Sequence, residues 1–360
     1  METVRTRSFA RAGLLGNPSD GYFGKTVSFT FTQFGVELAM SESSRIRFQQ
    51  GEVDDATFAS LDEMSRNLRL YGYYGGIRLL KATAKRFFDY CQEQGLALPM
   101  RNFSVEYKIN IPRLVGLSGS SAICSAMLKA LMKFYGVEIP IEIQPTICLE
   151  AERDELGINC GFQDRVIQIY NGIVFMDFDK AFVESHNRGK YERLYPNLPN
   201  LPNLYIAYDA NRAEESGKAH KKVKRLFEEK NADVLAAMSE FADIAQQGRD
   251  LLVNRTIEQS EQSNNSRLAA LINANFDLRD RIFNVAEENR RMVMTARKSG
   301  ASAKFAGSGG AIVGTYEDEA QLRRLKADLK AIGSETFVPT IATTADETAE
   351  IAGFGSWRNS

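Results

Sequence analysis

The stretch Ile111-Pro112-Arg113-Leu114-Val115-Gly116-Leu117-Ser118-Gly119-Ser120-Ser121-Ala122 decides how this chain is read. It joins a strand-like run, Phe103 to Asn110, to a helix-like run, Ile123 to Tyr135. A small-residue loop entering a helix offers unpaired backbone N–H groups, and the helix dipole adds partial positive charge there. Such a place suits an anion, above all a phosphate. Glycines let the backbone come close, and serines add hydroxyl donors or a hard oxygen for Mg²⁺. An ordinary serine-capped helix start fits the same residues, so the choice rests on the remainder of the chain.

With 360 residues and 44% hydrophobic composition, the chain has room for two domains with sizeable cores. Lys+Arg 45 against Asp+Glu 46 leave a net charge of −1, which argues against a polyanion-binding surface. No basic run, stacked-aromatic motif or zinc spacing points to nucleic acid. Cys91, Cys124, Cys148 and Cys160 are scattered, three of them in helical or buried patterns. Reduced thiols of a cytosolic protein are therefore expected rather than disulfides. A nucleophilic cysteine would want an activating base, and the two histidines, His186 and His220, lie in polar stretches. No apolar run reaches the roughly 18 residues of a membrane helix. Arg5 and Arg7 lead into a strand pattern, not into the apolar core of a signal peptide. A cytoplasmic protein, monomer or homodimer, with no nucleic-acid or membrane partner is the expectation.

Outward from the loop, strand and helix patterns alternate irregularly. Val4 to Leu15 reads as a strand ending in the turn Gly13-Leu14-Leu15-Gly16-Asn17-Pro18-Ser19-Asp20-Gly21. Gly24-Lys25-Thr26 is not the end of a P-loop, because Ser19 stands where that motif needs glycine. Val27 to Met40 predicts one or two strands and Arg45 to Phe48 another. Asp54 to Leu70 and Ile77 to Gln94 have helical spacing, joined by the aromatic segment 71–76. Helices are expected at Ile143 to Glu155 and Arg165 to Tyr170, and a strand at Ile173 to Phe178. The polar run Lys180 to Asn203 is the expected domain boundary or a surface excursion, and the domains are expected over residues 1–190 and 191–360. Beyond it come a strand (Leu204 to Tyr208), helices over Lys218 to Glu229, Ala232 to Val253, Glu258 to Phe283 and Arg290 to Ser299, then a Gly-rich turn around Gly307-Ser308-Gly309-Gly310. A strand, Ile312 to Thr315, a helix, Glu317 to Ile332, and a last strand, Thr336 to Ile341, complete the pattern. Without a steady βαβ rhythm the fold class is α+β rather than doubly wound.

Three Gly-rich turns, near residues 16, 118 and 308, thus share one chain with a carboxylate cluster, Glu150, Glu152, Asp154, Glu155 and Asp164. Phosphoryl transfer from a nucleotide needs such parts: a backbone cradle for phosphates, an acidic Mg²⁺ ligand, a carboxylate on the acceptor hydroxyl, and a nearby cation.

In their order the three turns resemble the motifs of the GHMP kinases. Arg11-Ala12-Gly13-Leu14-Leu15-Gly16-Asn17 is similar to the first, with Arg11 at the family's Lys/Arg position. Pro112, Gly116, Leu117, Ser118, Ser120, Ser121 and Ala122 match the loop that wraps ATP phosphates, with Gly119 inside it. Lys304 to Ala311 resembles the third motif, which makes Gly307, Ser308, Gly309 and Gly310 supports of that loop. Ala151-Glu152, then Gly161-x-x-Asp164, then Asn171-Gly172 resembles the segment carrying the Mg²⁺ glutamate and the catalytic aspartate. The resemblance implies a two-domain α+β fold, ribosomal S5 domain 2-like at the N-terminus and ferredoxin-like at the C-terminus.

Gly13 to Asp20, Tyr73 to Leu80, Asn110 to Arg113, Gly116 to Ala122 and Gly161 to Val166 further resemble the plant-type glucuronokinases. That likeness implies a phosphotransferase with an alcohol acceptor, which uses ATP and Mg²⁺ to phosphorylate the C1 hydroxyl of the sugar acid D-glucuronate. Galacturonate, arabinose or a heptose phosphate are alternative acceptors, and a regulator binding sugar and ATP without turnover is the alternative class. Asp164 and Arg11 are then expected to be catalytic and Glu152 to hold Mg²⁺. The loop departs from the usual Gly-Leu-Gly-Ser-Ser-Ala: counted from Pro112 the metal serine is Ser120, counted back from Ala122 it is Ser121. Asn17, Asp20, Arg78, Arg113 and Arg165 are candidates for the sugar, the arginines because a guanidinium pairs well with a carboxylate. The start of the helix at Ser216-Gly217-Lys218 reads as a capped, solvated helix end or as a border of the sugar site.

Overall fold

The architecture is taken from a computed structural model that describes residues 3–49, 75–196, 198, 201–209, 217–254, 261–283, 285 and 287–348. The helix expected over Asp54 to Leu70, the aromatic residues 71–74 and Ser216 lie outside the described residues. The elements of the first half are β1 (Val4–Leu15), β2 (Lys25–Ser43), β3 (Arg47–Phe48), α1 (Gly76–Glu93), β4 (Asn102–Ile109), α2 (Gly119–Tyr135), α3 (Gln144–Arg153), α4 (Gln163–Tyr170), β5 (Ile173–Asp177), α5 (Lys180–His186) and β6 (Lys190–Arg193). The second half continues with β7 (Leu204–Tyr208), α6 (Gly217–Glu228), α7 (Ala232–Val253), α8 (Glu261–Phe283), α9 (Glu287–Lys298), β8 (Lys304–Phe305), β9 (Ala311–Thr315), α10 (Glu319–Lys330) and β10 (Glu335–Phe337).

β2 is the spine of the first sheet, ordered β3-β4-β2-β5-β6 with β1 also paired to β2. Its alternating Val27, Phe29 and Phe31, then Val36 and Leu38, are all buried, so the run forms one strand rather than two. A register shift opposite Phe9/Ala10 absorbs the irregular Thr32–Phe34 segment. Phe9 to Leu15 of β1 is buried on both faces, because helices of both halves, among them α2, α4, α7 and α8, pack on it. That places Arg11 and the turn after Leu15 between the two halves.

The second sheet, β10-β7-β9-β8, is antiparallel throughout. One apolar core runs through both halves, from Phe29 and Leu128 to Leu204, Phe241 and Ile272. A second core, Tyr205, Phe276, Leu322 and Leu325, sits in the C-terminal half.

The polar run expected as the boundary carries α5 and β6. Asp179 caps α5 by accepting from the Phe182 amide at 3.0 Å, and β6 extends the first sheet to Arg193 through β5. The segment from Ala342 to Glu347 also returns to the first half. The Ala342 amide donates to Thr30 O at 2.9 Å, the Gly172 amide to Ala342 O at 2.7 Å, and Glu347 accepts from Lys129 and Asn171. All four cysteines are free thiols, three buried and Cys160 half-buried. Among the described residues, no helix is long and apolar enough to cross a membrane.

Candidate active site

Arg11 gathers the site. It sits near the end of β1, 5% exposed. Its Nε donates to Asp164 Oδ1 at 2.7 Å and Nη2 to Oδ2 at 2.8 Å, a bidentate pair of the strong, charge-assisted kind. Nη1 donates to Gly116 O at 2.6 Å and to Ala306 O at 3.2 Å. One guanidinium therefore holds the carboxylate on α4, the Gly/Ser loop and the C-terminal Gly-rich turn together.

The loop and that turn lie back to back, and glycine is what permits it. A Cβ on Gly307 would stand 2.2 Å from Gly116 O, and one on Gly116 would stand 2.6 Å from Gly309 O. Gly116 and Gly310 also have φ of +75° and +76°, a region glycine enters without strain. Arg279 on α8 pins the turn, donating to Gly307 O at 2.8 Å and Ser308 O at 3.0 Å. Lys304 is buried and donates to Gly13 O at 2.7 Å, Phe305 O at 2.8 Å and Asn17 Oδ1. Burial first, then the charges of Arg279 and Arg11, push its amine well below the ordinary lysine value.

At the start of α2 the serine-cap expectation gives way. Ser118 is in the left-handed conformation (φ 68°, ψ 49°), and no side chain caps the helix. Its hydroxyl turns instead to Asp164 Oδ2, 2.7 Å away, and lies 2.6 Å from Ser121 Oγ. The first turn of α2 thus presents uncapped amides to a cleft of about 330 Å³ that Pro112, Gly116, Leu117, Ser118, Gly119 and Ser120 line together with Arg11, Asp164 and Ser308. Ser121 and Ala122 are buried behind the loop. Tyr107, Ile109, Ile111 and Ile123 give the cleft an apolar wall.

Burial alone would push the Asp164 carboxyl up. The Arg11 charge and hydrogen bonds, with Arg165 and Ser118, outweigh that and hold it at about 2. Asp20, on the 3₁₀ turn Ser19–Tyr22, goes the other way. Burial and then the Asp164 charge raise it to about 6, against the Gln163 amide that donates to Oδ2 at 3.3 Å.

A model of the GHMP kinase N-terminal domain matches residues 78–172. Glucuronokinase 1 of Arabidopsis thaliana is 40% identical over 337 residues, covering 92% of this chain and 90% of the relative. The chain belongs to the GHMP kinases. It is a glucuronokinase-like member of that family. Its fold is shared with Lactococcus lactis galactokinase, solved in complex with galactose (TM-score 0.72, 16% identity, 95% of this chain and 94% of that one). It is shared also with the Streptococcus pneumoniae phosphomevalonate kinase (TM-score 0.69, 14% identity, 95% and 99%).

In this GHMP kinase several expected residues sit elsewhere than the sequence suggested. Arg165 does not reach the cleft. It is 3% exposed and donates through Nε to Glu152 Oε2 at 2.7 Å and through Nη1 to Gly161 O at 2.8 Å, so it serves a buried ion pair and not a sugar carboxylate. Asn17 is likewise enclosed, taken by Lys304 and by Asn275, whose Nδ2 donates to Asn17 O at 3.2 Å. Arg78 is half-buried on the first turn of α1 and is not part of the cleft lining. Arg113 is exposed and lines it. Glu152 is wholly buried behind the cleft wall, with Oε1 lacking any hydrogen-bond partner.

Sequence reading missed Arg279, Asn275 and Gln168. Asn275 Oδ1 accepts from the Gly16 amide at 2.6 Å, and Gln168 Nε2 donates to Ser118 O and Phe9 O, both at 2.9 Å. A signal existed for the first two: Asn275 and Arg279 are polar residues one helical turn apart on a face shared with Ile272 and Phe276.

Proposed function

We propose that this kinase transfers the γ-phosphoryl group of ATP to the C1 hydroxyl of D-glucuronate. The observation that carries the reaction class is Asp164, aimed into the cleft beside the uncapped start of α2 and held as an anion by Arg11 and Ser118. The near full-length similarity to the Arabidopsis glucuronokinase supports the substrate.

Amides of the loop from Gly116 to Ser120 cradle the β- and γ-phosphates, and the apolar wall of Ile109, Ile111 and Ile123 takes the base. Asp164 accepts a hydrogen bond from the C1 hydroxyl and aligns its oxygen with the γ-phosphorus. The O1–Pγ bond forms as the bond from Pγ to the β,γ-bridging oxygen breaks, and the hydroxyl proton is released as ADP forms. A carboxyl near pKa 2 is a weak base, so alignment and electrostatics carry the step, as a loose transition state allows. Arg113, on the cleft wall, would pair with the sugar's carboxylate, and Asp20, which accepts from the Gln163 amide next to Asp164, is a second candidate for the sugar.

Of the residues expected to hold Mg²⁺, only Ser120 faces the cleft. That ion keeps several waters and needs only one or two protein carboxylates beside substrate phosphates, so the lack of a three-ligand acidic cluster among the described residues does not count against it. Ser120 lines the cleft and would hold the ion beside the phosphates, whereas Glu152, the glutamate expected for it, is wholly buried and taken by Arg165 and does not reach the cleft. Bound there, Mg²⁺ neutralises phosphate charge. The four free thiols suit a cytoplasmic enzyme.

A panel of sugars incubated with radiolabelled ATP tests the assignment. Turnover of D-glucuronate is expected to exceed that of neutral hexoses, galacturonate and arabinose. Glucuronate turnover no higher than that of neutral hexoses refutes the substrate, and binding of both ligands without product favours a regulator.

A further inference from the structure

Counted from Pro112, Ser118 occupies the place where the Gly-Leu-Gly-Ser-Ser-Ala form of the loop has glycine, and it keeps the backbone conformation that glycine favours, φ 68°. A side chain is therefore carried where none is needed for the turn. What the side chain does is visible in its contacts. Its hydroxyl donates to Asp164 Oδ2 at 2.7 Å and rests 2.6 Å from Ser121 Oγ. Its carbonyl accepts from Gln168 Nε2 at 2.9 Å and from the Ala122 amide at 3.3 Å. The residue is thus pinned from α2 and from α4 at once.

We propose that Ser118 is a positioning residue, whose hydroxyl sets the rotation of Asp164 and ties the ATP loop to the acceptor-aligning carboxylate. This rests on the reading of Asp164 given above. A carboxylate offers about four lone-pair directions. Arg11 Nε takes one on Oδ1, and Arg11 Nη2 and Ser118 Oγ take both on Oδ2. One direction remains, on Oδ1, and it is there that the C1 hydroxyl docks. Without the serine, Oδ2 has an unused site that competes for the hydroxyl in a misaligned pose. The loop that binds ATP and the group that aims the sugar are then no longer one rigid unit.

The test is a double-mutant cycle of Ser118→Gly and Asp164→Asn, with Ser118→Ala as a third variant. Glycine removes the hydroxyl and tolerates φ 68°, so the fold is kept; melting curves check this. In the wild-type background Ser118→Gly and Ser118→Ala are expected to lower kcat about tenfold, the scale of one charge-assisted hydrogen bond realised in the transition state. The dissociation constant for ATP, by isothermal titration, stays within about twofold. In the Asp164→Asn background, adding Ser118→Gly changes kcat less than about twofold, because the serine acts through the aspartate. Full kcat in Ser118→Gly overturns the proposal and leaves the Asp164 reading standing. So does an equal loss in both backgrounds, or a loss in the alanine variant alone, which marks a backbone effect. Full activity in Asp164→Asn overturns the Asp164 reading and this proposal with it.

Discussion

Replacing Asp20 by Asn is expected to stabilise the folded protein at neutral pH while lowering its activity. Asp20 is a carboxyl whose folded pKa, about 6, lies above its ordinary value of 3.8. The folded state therefore binds more protons than the unfolded state between these values. Stability falls as pH rises through that window, and the penalty is complete above about pH 7. The difference between about 6 and 3.8 corresponds to a ceiling of ~3 kcal/mol. Asp20 keeps part of its surface in solvent, and solvent screening reduces this to about 1–2 kcal/mol. Asparagine removes the charge and keeps an oxygen for the Gln163 amide, so the variant should recover that amount.

Urea unfolding followed by circular dichroism, at steps from pH 4 to 8, reads the effect directly. The variant should exceed wild type by about 1–2 kcal/mol at pH 7.5, and the gap should close towards pH 4. A gap that is flat with pH, or a variant less stable than wild type at pH 7.5, would refute the charge argument. Sugar kinetics on the same variant form an independent arm. An unchanged KM for glucuronate removes Asp20 from the sugar site without touching the stability argument.

Arg165→Met should cost about 3–5 kcal/mol in unfolding free energy, because it strands Glu152, a carboxylate with no exposed surface. Adding Glu152→Gln should restore most of that loss, and a single variant of wild-type stability would show that the pair is not the buried clamp described. Gly307→Ala places a methyl 2.2 Å from Gly116 O and 2.8 Å from Arg11 Nη1. It should cost about 1–3 kcal/mol and weaken ATP binding measured by isothermal titration; unaltered affinity would mean that the turn does not support the loop.

Periodicity made most of the fold legible. Ala232 to Val253 forms its helix with the expected bounds, capped by Asn231, which accepts from the Val234 amide at 3.1 Å. α5 and β6 were not legible for a physical reason. α5 buries none of its seven residues and β6 is a short strand that, among the described residues, pairs with β5 alone, so neither leaves an apolar period to read. The site divides in the same way. Glycine positions and the Arg11–Asp164 pair are written in residue type and order, since only glycine fits the contact between loop and turn. The fate of Arg165 is not. Neighbours in sequence, Asp164 and Arg165 leave the first turn of α4 in different directions, one to the cleft and one to Glu152, and composition at those positions is silent on which.

That divergence governs the electrostatics of the site. Asp20, Glu152 and Asp164 lie among two guanidinium groups, Arg11 and Arg165. Each arginine is committed to one carboxylate by short hydrogen bonds, and the third acid is left to carry the repulsion. The result is a carboxyl near 2 beside a carboxyl near 6. On the proposed mechanism the consequence is directional. Asp164, the group aimed at the acceptor, stays an anion at any physiological pH and keeps one geometry. Rate enhancement then has to come from alignment against a fixed phosphate cradle. This is why a contact as small as the Ser118 hydroxyl, which joins cradle and carboxylate, is expected to matter more to kcat than to binding.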